Sequence, residues 1–346
     1  MLWLGPPIAV LLALAAGAAI FSALGYDGLR AVRQIVVVPL AEPGRWPELL
    51  VKAGPLILIA VGLSVGFRAG VWNIGAEGQY VMGAVAGTGV ALLTWGGEGW
   101  WVLPAMALAG ALGGMAYAAI PALLLTRFRV SEILSSLMLT YVALQLLYYL
   151  VRGPWRDPEG FNFPQTRLFT PAQTLPVVAE GSLVHLGIPL ALLVALLAWI
   201  VVARTLFGFE VRVVGLAPAA ARHGGFSRTR TVWASLLLGG ALSGLAGLFE
   251  AAGPFGQLVP QFPAGYGFTA IIVAFLGRLH PLGIVLAGLV LAVTAVGGEL
   301  AQTAAGLPQA AAGLFQAMML FFLLAVDILV SHRLVPPRPA RPGAAA

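Results

Sequence analysis

Cysteine is absent from the 346 residues, and lysine occurs once, as Lys52. The first absence removes disulfides, thiolate nucleophiles and cysteine metal sites, and leaves the redox compartment open. The second removes the lysine of a phosphate loop, and no G-x-x-x-x-G-K-[ST] run occurs, so no nucleotide binds this chain by that motif. The histidines His185, His223, His280 and His332 are scattered, without HExxH spacing. Charge is scarce as well: 9% of residues carry it, against about a quarter in soluble domains. What remains is apolar, 60% of the chain, with a mean hydropathy of +0.95. Too few polar residues are left to coat a soluble core of that size, so the chain reads as an integral membrane protein. Basic residues outnumber acidic ones by 19 to 13, but they cluster beside apolar runs, which reads as membrane topology and not as nucleic-acid binding.

Apolar segments fall near 6–24, 51–67, 79–95, 101–125, 131–151, 187–203, 231–251, 267–279, 281–297 and 308–330. A hydrocarbon core of roughly 30 Å takes about 20 helical residues. The pattern predicts an all-α, polytopic bundle of about 8–10 spans in the lipid bilayer, with 267–279 short enough to be re-entrant. The N-terminal run lacks a basic flank and reads as the first span, not as a cleaved signal. Arginines crowd the link at 127–129, the loop 204–230 and the tail after 331, and the positive-inside rule puts all three in the cytoplasm. Both termini are then cytoplasmic, and the link 152–186, with balanced charge, is external. The chain is expected to be one transmembrane domain over 1–346, with a disordered tail at 334–346.

One stretch breaks the apolar pattern. "RAGVWNIGAEGQYVMGA", Arg68 to Ala84, holds ionisable and amide groups and four glycines between two spans. Two readings fit it. Unwound backbone at membrane depth is tolerated where protein buries it or where it lines a watery cavity, which makes Asn73, Glu77 and Gln79 candidate pathway residues. Alternatively, a tight cytoplasmic turn caps two helices and leaves Glu77 and Gln79 solvated.

A second signal lies in "GLAPAAARHGG". Pro218 suits a first helical turn, Ala219 to Ala221 propagate it and Gly224–Gly225 stop it. The result is a short helix with small residues on its surface, which another protein's groove can enclose; an ordinary surface connector is the alternative. Elsewhere, Ser131 and Glu132 suit the start of a span. Glu250 is expected at the solvated outer end of its span. Glu299 and Gln302 lie near the outer side, as gate or as solvated loop. Arg278 and His280 occupy a turn, Asp327 lies in the last turn of the final span, and Trp95, Trp100 and Trp101 read as interface anchors. The external link either covers the outer mouth and meets a partner or packs passively on the surface.

"FRAGVWNIGAEGQ", "SEILSSLMLTYVA", "GLAPAAARHGG" and "AGYGFTAIIVAFLGRLHPLG" together resemble the permease subunits of ABC importers for nucleosides and simple sugars, in the wider family that also serves ribose and branched-chain amino acids. The likeness spans roughly residues 45–330, with its motifs in order. It implies a multi-pass protein of the bacterial inner membrane that has no catalytic site and binds no cofactor itself. ATP and magnesium would sit in a partner ABC ATPase. A second permease, homologous or identical, would complete the core, and a substrate-binding lipoprotein or periplasmic protein would deliver cargo. Nucleosides are the leading cargo and simple sugars such as ribose the next. The resemblance makes Gly215, Pro218, Ala220, Ala221 and Gly225 part of the coupling element that docks into the ATPase. The chain departs from the family's pattern at Ala217 and Ala219, where asparagine and glutamate are common. Trp72 joins the pathway set, and with Tyr80 it offers aromatic faces to a base. The rivals are a secondary transporter using Glu77 or Glu299 as its proton site, and a membrane enzyme, for which the isolated acids give no cluster.

Overall fold

The computed structural model describes residues 5–178, 181–308 and 310–331. The tail at 334–346 lies outside them. Each apolar segment of the sequence forms a helix: α1 (Gly5–Ala23), α4 (Trp46–Arg68), α5 (Ala76–Leu93), α6 (Val102–Phe128), α7 (Glu132–Arg152), α8 (Gly187–Arg204), α11 (Arg228–Glu250), α12 (Tyr266–Leu276), α13 (Pro281–Ala305) and α14 (Ala310–Ser331). Among the described residues, six helices are long and apolar enough to cross a membrane, and none of the chain is in a strand. Short pieces join them. α2 (Gly28–Val32), a π-helical turn at Arg33–Val37 and α3 (Val38–Ala41) bridge α1 and α4, while α9 (Leu206–Leu216) and α10 (Pro218–His223) occupy the loop before α11.

α4 and α11 form the centre, with α5, α6 and α8 packed around them. α4 is buried along almost its whole length, whereas α6, α7 and α8 bury only one stripe and turn apolar residues outward. Hydrocarbon gives helices no hydrophobic reason to associate, so close packing has to do it. Small residues supply that closeness. A Cβ on Gly83 of α5 would collide with the backbone of Gly244 on α11, and one on Gly114 of α6 would strike the Gly240 carbonyl.

α12 differs from its neighbours. Its 11 residues span about 16 Å at 1.5 Å each, half of a hydrocarbon core. Before it the chain leaves α11 through a π-helical turn at Ala251–Phe255 and runs irregularly over 256–265, with Leu258 and Phe262 fully buried. The segment 267–279 is therefore a half-length helix, and with the irregular stretch before it the chain passes from the start of α4, beside Glu250, to the end of α4, where Leu279 meets Arg68. Four hydrogen bonds, three of them between backbones, hold the stretch before it to the link 152–186: Thr166 N to Leu258 O at 3.0 Å, Leu258 N to Thr166 Oγ1 at 3.0 Å, Phe169 N to Gly256 O at 2.8 Å and Leu175 N to Ala252 O at 2.8 Å. The link is thus hydrogen-bonded to the stretch that leads into α12.

Three local expectations change. Ser131 precedes α7 but its side chain makes no capping bond. Glu250 is not solvated: it is 5% exposed, closed over by the π turn and the start of α8. Glu299 pairs with Lys52 at 2.9 Å, joining α13 to α4.

Candidate functional site

α4 ends as glycine-closed helices do. Gly70 takes a left-handed φ of 71°, Val71 N donates to Gly66 O at 2.9 Å and Gly70 N to Phe67 O at 3.2 Å. The chain then turns back into the bundle in extended form. Trp72 N donates to Glu132 Oε1 at 3.3 Å and Ile74 N to Ser136 Oγ at 3.2 Å. Two extended residues advance about 6.6 Å and one helical turn about 5.4 Å, so alternate N–H groups of this non-helical stretch meet side chains one turn apart on α7. This match satisfies backbone groups that lipid cannot. Asn73 reaches the level of Gly239 on α11 and Gly62 on α4, which is six residues, or about 9 Å, deeper than the end of α4.

The seam's polar side chains close on the protein. Asn73 and Gln79 form a reciprocal amide pair, Asn73 Nδ2 to Gln79 Oε1 at 2.8 Å and Gln79 Nε2 to Asn73 Oδ1 at 3.0 Å, and the same Asn73 oxygen accepts from Gly75 N. Glu77 reaches across to α12: its Oε1 accepts from Gly265 N at 2.9 Å and its Oε2 from Gly267 N at 2.6 Å. Those N–H groups begin a helix and have no intrahelical partner, so an acidic side chain is their natural cap. Gly267 allows the approach, since a Cβ there would collide with the Glu77 backbone. Asn73, Glu77 and Gln79 are all buried, which removes the solvated-turn reading, and their hydrogen-bonding groups are taken up within the chain. Trp72 is 41% exposed and packs on Phe67 and Phe275, with ring centroids 5.2 and 5.7 Å away. Tyr80 is fully buried and stacks on Phe262 at 5.0 Å.

The other end of α12 meets the other candidate region. Arg68 donates from Nε and Nη2 to Leu279 O, at 3.1 and 2.9 Å, just past the end of the half-helix. Gly215 of α9 lies against the Arg68 carbonyl, where any side chain would collide. Arg68 therefore touches the half-helix on one side and the α9–α10 hairpin on the other. In that hairpin Pro218 opens α10, Gly225 takes a φ of 82°, and Ala220 is exposed. Ala221 points inward, at 2% exposure, while Leu216 stands 86% exposed at the tip of α9. Among the described residues no group of three or more histidine or acidic side chains is arranged to hold a metal.

Sequence reasoning missed Arg68, Ser136 and α9. Arg68 stands only as the first residue of the polar stretch, and Ser136 is not singled out. Nothing local announces that either bonds a segment far along the chain.

Residues 47–324 match the family described as the permease component of branched-chain amino acid transport systems. The glucose ABC transporter permease protein TsgB13 of Haloferax volcanii is 40% identical, over 95% of this chain and 88% of its own length. The guanosine ABC transporter permease protein NupP of Bacillus subtilis is 31% identical over 92% of each chain. The nucleoside ABC transporter permease protein NupB of Lactococcus lactis subsp. cremoris is 27% identical over 92% of this chain and 89% of its own. No solved structure matches.

Proposed function

The chain belongs to the branched-chain amino acid transport system permease family, and from that premise we propose that it is the membrane subunit of an ATP-driven importer that passes nucleosides from a substrate-binding protein into the cell. The relatives named for guanosine and nucleoside transport support that cargo over most of the chain. A second reading, simple sugars, is favoured by the 40% identical relative named for glucose. The chain sits in the cytoplasmic membrane with both termini inside, pairs with a homologous or identical permease, and leaves ATP and magnesium to a separate ATPase.

One observation carries the mechanism: Arg68 stands between the α9–α10 hairpin and the half-helix α12. The hairpin docks on the ATPase through the exposed side of α10, with Pro218 and Ala220, and through Leu216. Ala221 and Gly225 shape the hairpin from within. Movement of the hairpin displaces Arg68, Arg68 displaces the C-terminal end of α12, and α12 opens the path beside it. Asn73, Glu77 and Gln79 serve that path by holding the opposite end of α12 at depth, with Trp72 at the inner rim. An ion-coupled carrier is the weaker alternative, because the groups around Glu77 are already paired and the relatives are named for ABC transporters.

Proteoliposomes with the permeases, ATPase and binding protein test both parts. Arg68→Leu should keep ATPase capture and ATP hydrolysis but lower cargo uptake per ATP at least tenfold; an unchanged ratio sinks the mechanism. Ala220→Glu should abolish capture of the ATPase, and normal capture removes the docking role. Uptake of labelled guanosine against labelled glucose decides the cargo.

A further inference from the structure

Two buried side-chain atoms without a protein partner belong to residues that line the same small cavity: His185 Nε2 and Glu250 Oε2. His185 closes the external link just before α8, and Glu250 ends α11; they are 4% and 5% exposed. The cavity between α4, α8 and α11 measures about 10 Å³, which is room for a single water molecule.

The chemistry of the walls suits one. Gly187 N donates to His185 Nδ1 at 3.2 Å, so Nδ1 offers a lone pair and the ring proton lies on Nε2. Burial lowers the proton affinity of His185 below its ordinary value, which keeps the ring neutral and agrees with that tautomer. Nε2 is then a buried donor, and Glu250 Oε2 a buried acceptor. A water needs two to four polar neighbours to stay in a protein interior. Here there is a donor from the link before α8 and an acceptor from α11. The Tyr266 hydroxyl on α12 approaches Glu250 as well, so the carboxyl group joins the cavity to the half-helix.

We propose that one internal water occupies this cavity, accepting from His185 Nε2–H and donating to Glu250 Oε2, and that through it the external link positions Glu250 against the outer part of α12. The positioning half rests on α12 being the element that moves; the water itself does not.

The test uses the whole transporter in lipid nanodiscs. A high-resolution cryo-EM map should show a density peak about 2.6–3.2 Å from both atoms. X-ray hydroxyl-radical labelling, which marks side chains beside ordered water, should oxidise Leu58 and Phe249 although they are only 1% and 7% exposed. His185→Phe should cut that labelling severalfold and lower uptake stimulated by the binding protein about threefold or more, with unstimulated ATP hydrolysis unchanged. Glu250→Gln keeps an oxygen and should keep both the labelling and the fold. No density, or wild-type labelling no higher than in His185→Phe, overturns the water. Labelling lost in His185→Phe with stimulated uptake intact overturns the positioning role. Uptake absent from the wild type while the water is present counts against the transport reading alone.

Discussion

The segments 70–75 and 251–265 both leave α-helical form within the bundle, and they are held differently. Over 72–75 the N–H groups of Trp72, Ile74 and Gly75 are met by side chains, those of Glu132 and Ser136 on α7 and of Asn73 within the segment. Over 252–258 it is the carbonyls of Ala252, Gly256 and Leu258 that are met, by backbone N–H groups of the link 152–186, while the Leu258 N–H is met by Thr166 Oγ1. Side-chain partners can be deleted by a single substitution, whereas backbone partners persist through most sequence changes. The seam after α4 is therefore specified residue by residue, and the stretch after α11 by the course of the chain. Glu77 joins the two, since it stands at the start of α5 and caps the half-helix that follows the stretch after α11.

Substitutions can break that contrast in order of size. Glu77→Leu orphans two donors at once, Gly267 N–H buried and Gly265 N–H part-buried, the buried one worth about 1–3 kcal/mol; thermal unfolding of the purified permease should drop the most here, and uptake should vanish. Glu77→Gln retains one good acceptor and should fall between that variant and wild type. Ser136→Ala removes the acceptor of Ile74 N and should cost about 1–2 kcal/mol, seen as faster hydrogen exchange at Ile74 and Gly75. Thr166→Val deletes the acceptor of Leu258 N but leaves Thr166 N on Leu258 O, so the cost should be smallest, about 1 kcal/mol or less. If Thr166→Val proves as damaging as Ser136→Ala, the distinction between side-chain-held and backbone-held segments fails.

The helices were legible because hydrocarbon demands long apolar runs, and each such run became a helix. The short length of 267–279 already marked α12 as unlike the rest. Its cap was not legible: Glu77 and Gly265 are 188 positions apart, and no periodicity links a carboxyl group to a distant helix start. Glu250 misled because the end of a span ordinarily meets water; here the π turn and the external link fold back over it. α9 and the segment 28–41 escaped notice because they mix charge with short apolar stretches and match no span-length pattern. In the hairpin, the alanine run correctly marked a short helix, but sequence alone did not say that Ala221 faces inward while Ala220 faces out.

Because the chain lacks cysteine, two introduced cysteines are unique labelling sites. Spin labels at Phe268 on α12 and Leu134 on α7, both exposed, report how far the half-helix moves against a fixed neighbour. In the assembled transporter, trapping the ATPase in its ATP-bound state should change that distance by a few ångströms, on the order of the helix shifts seen in other switching proteins, and Arg68→Leu should abolish the change. A distance that stays constant through the ATP cycle while cargo is still imported would contradict a half-helix driven from the coupling hairpin.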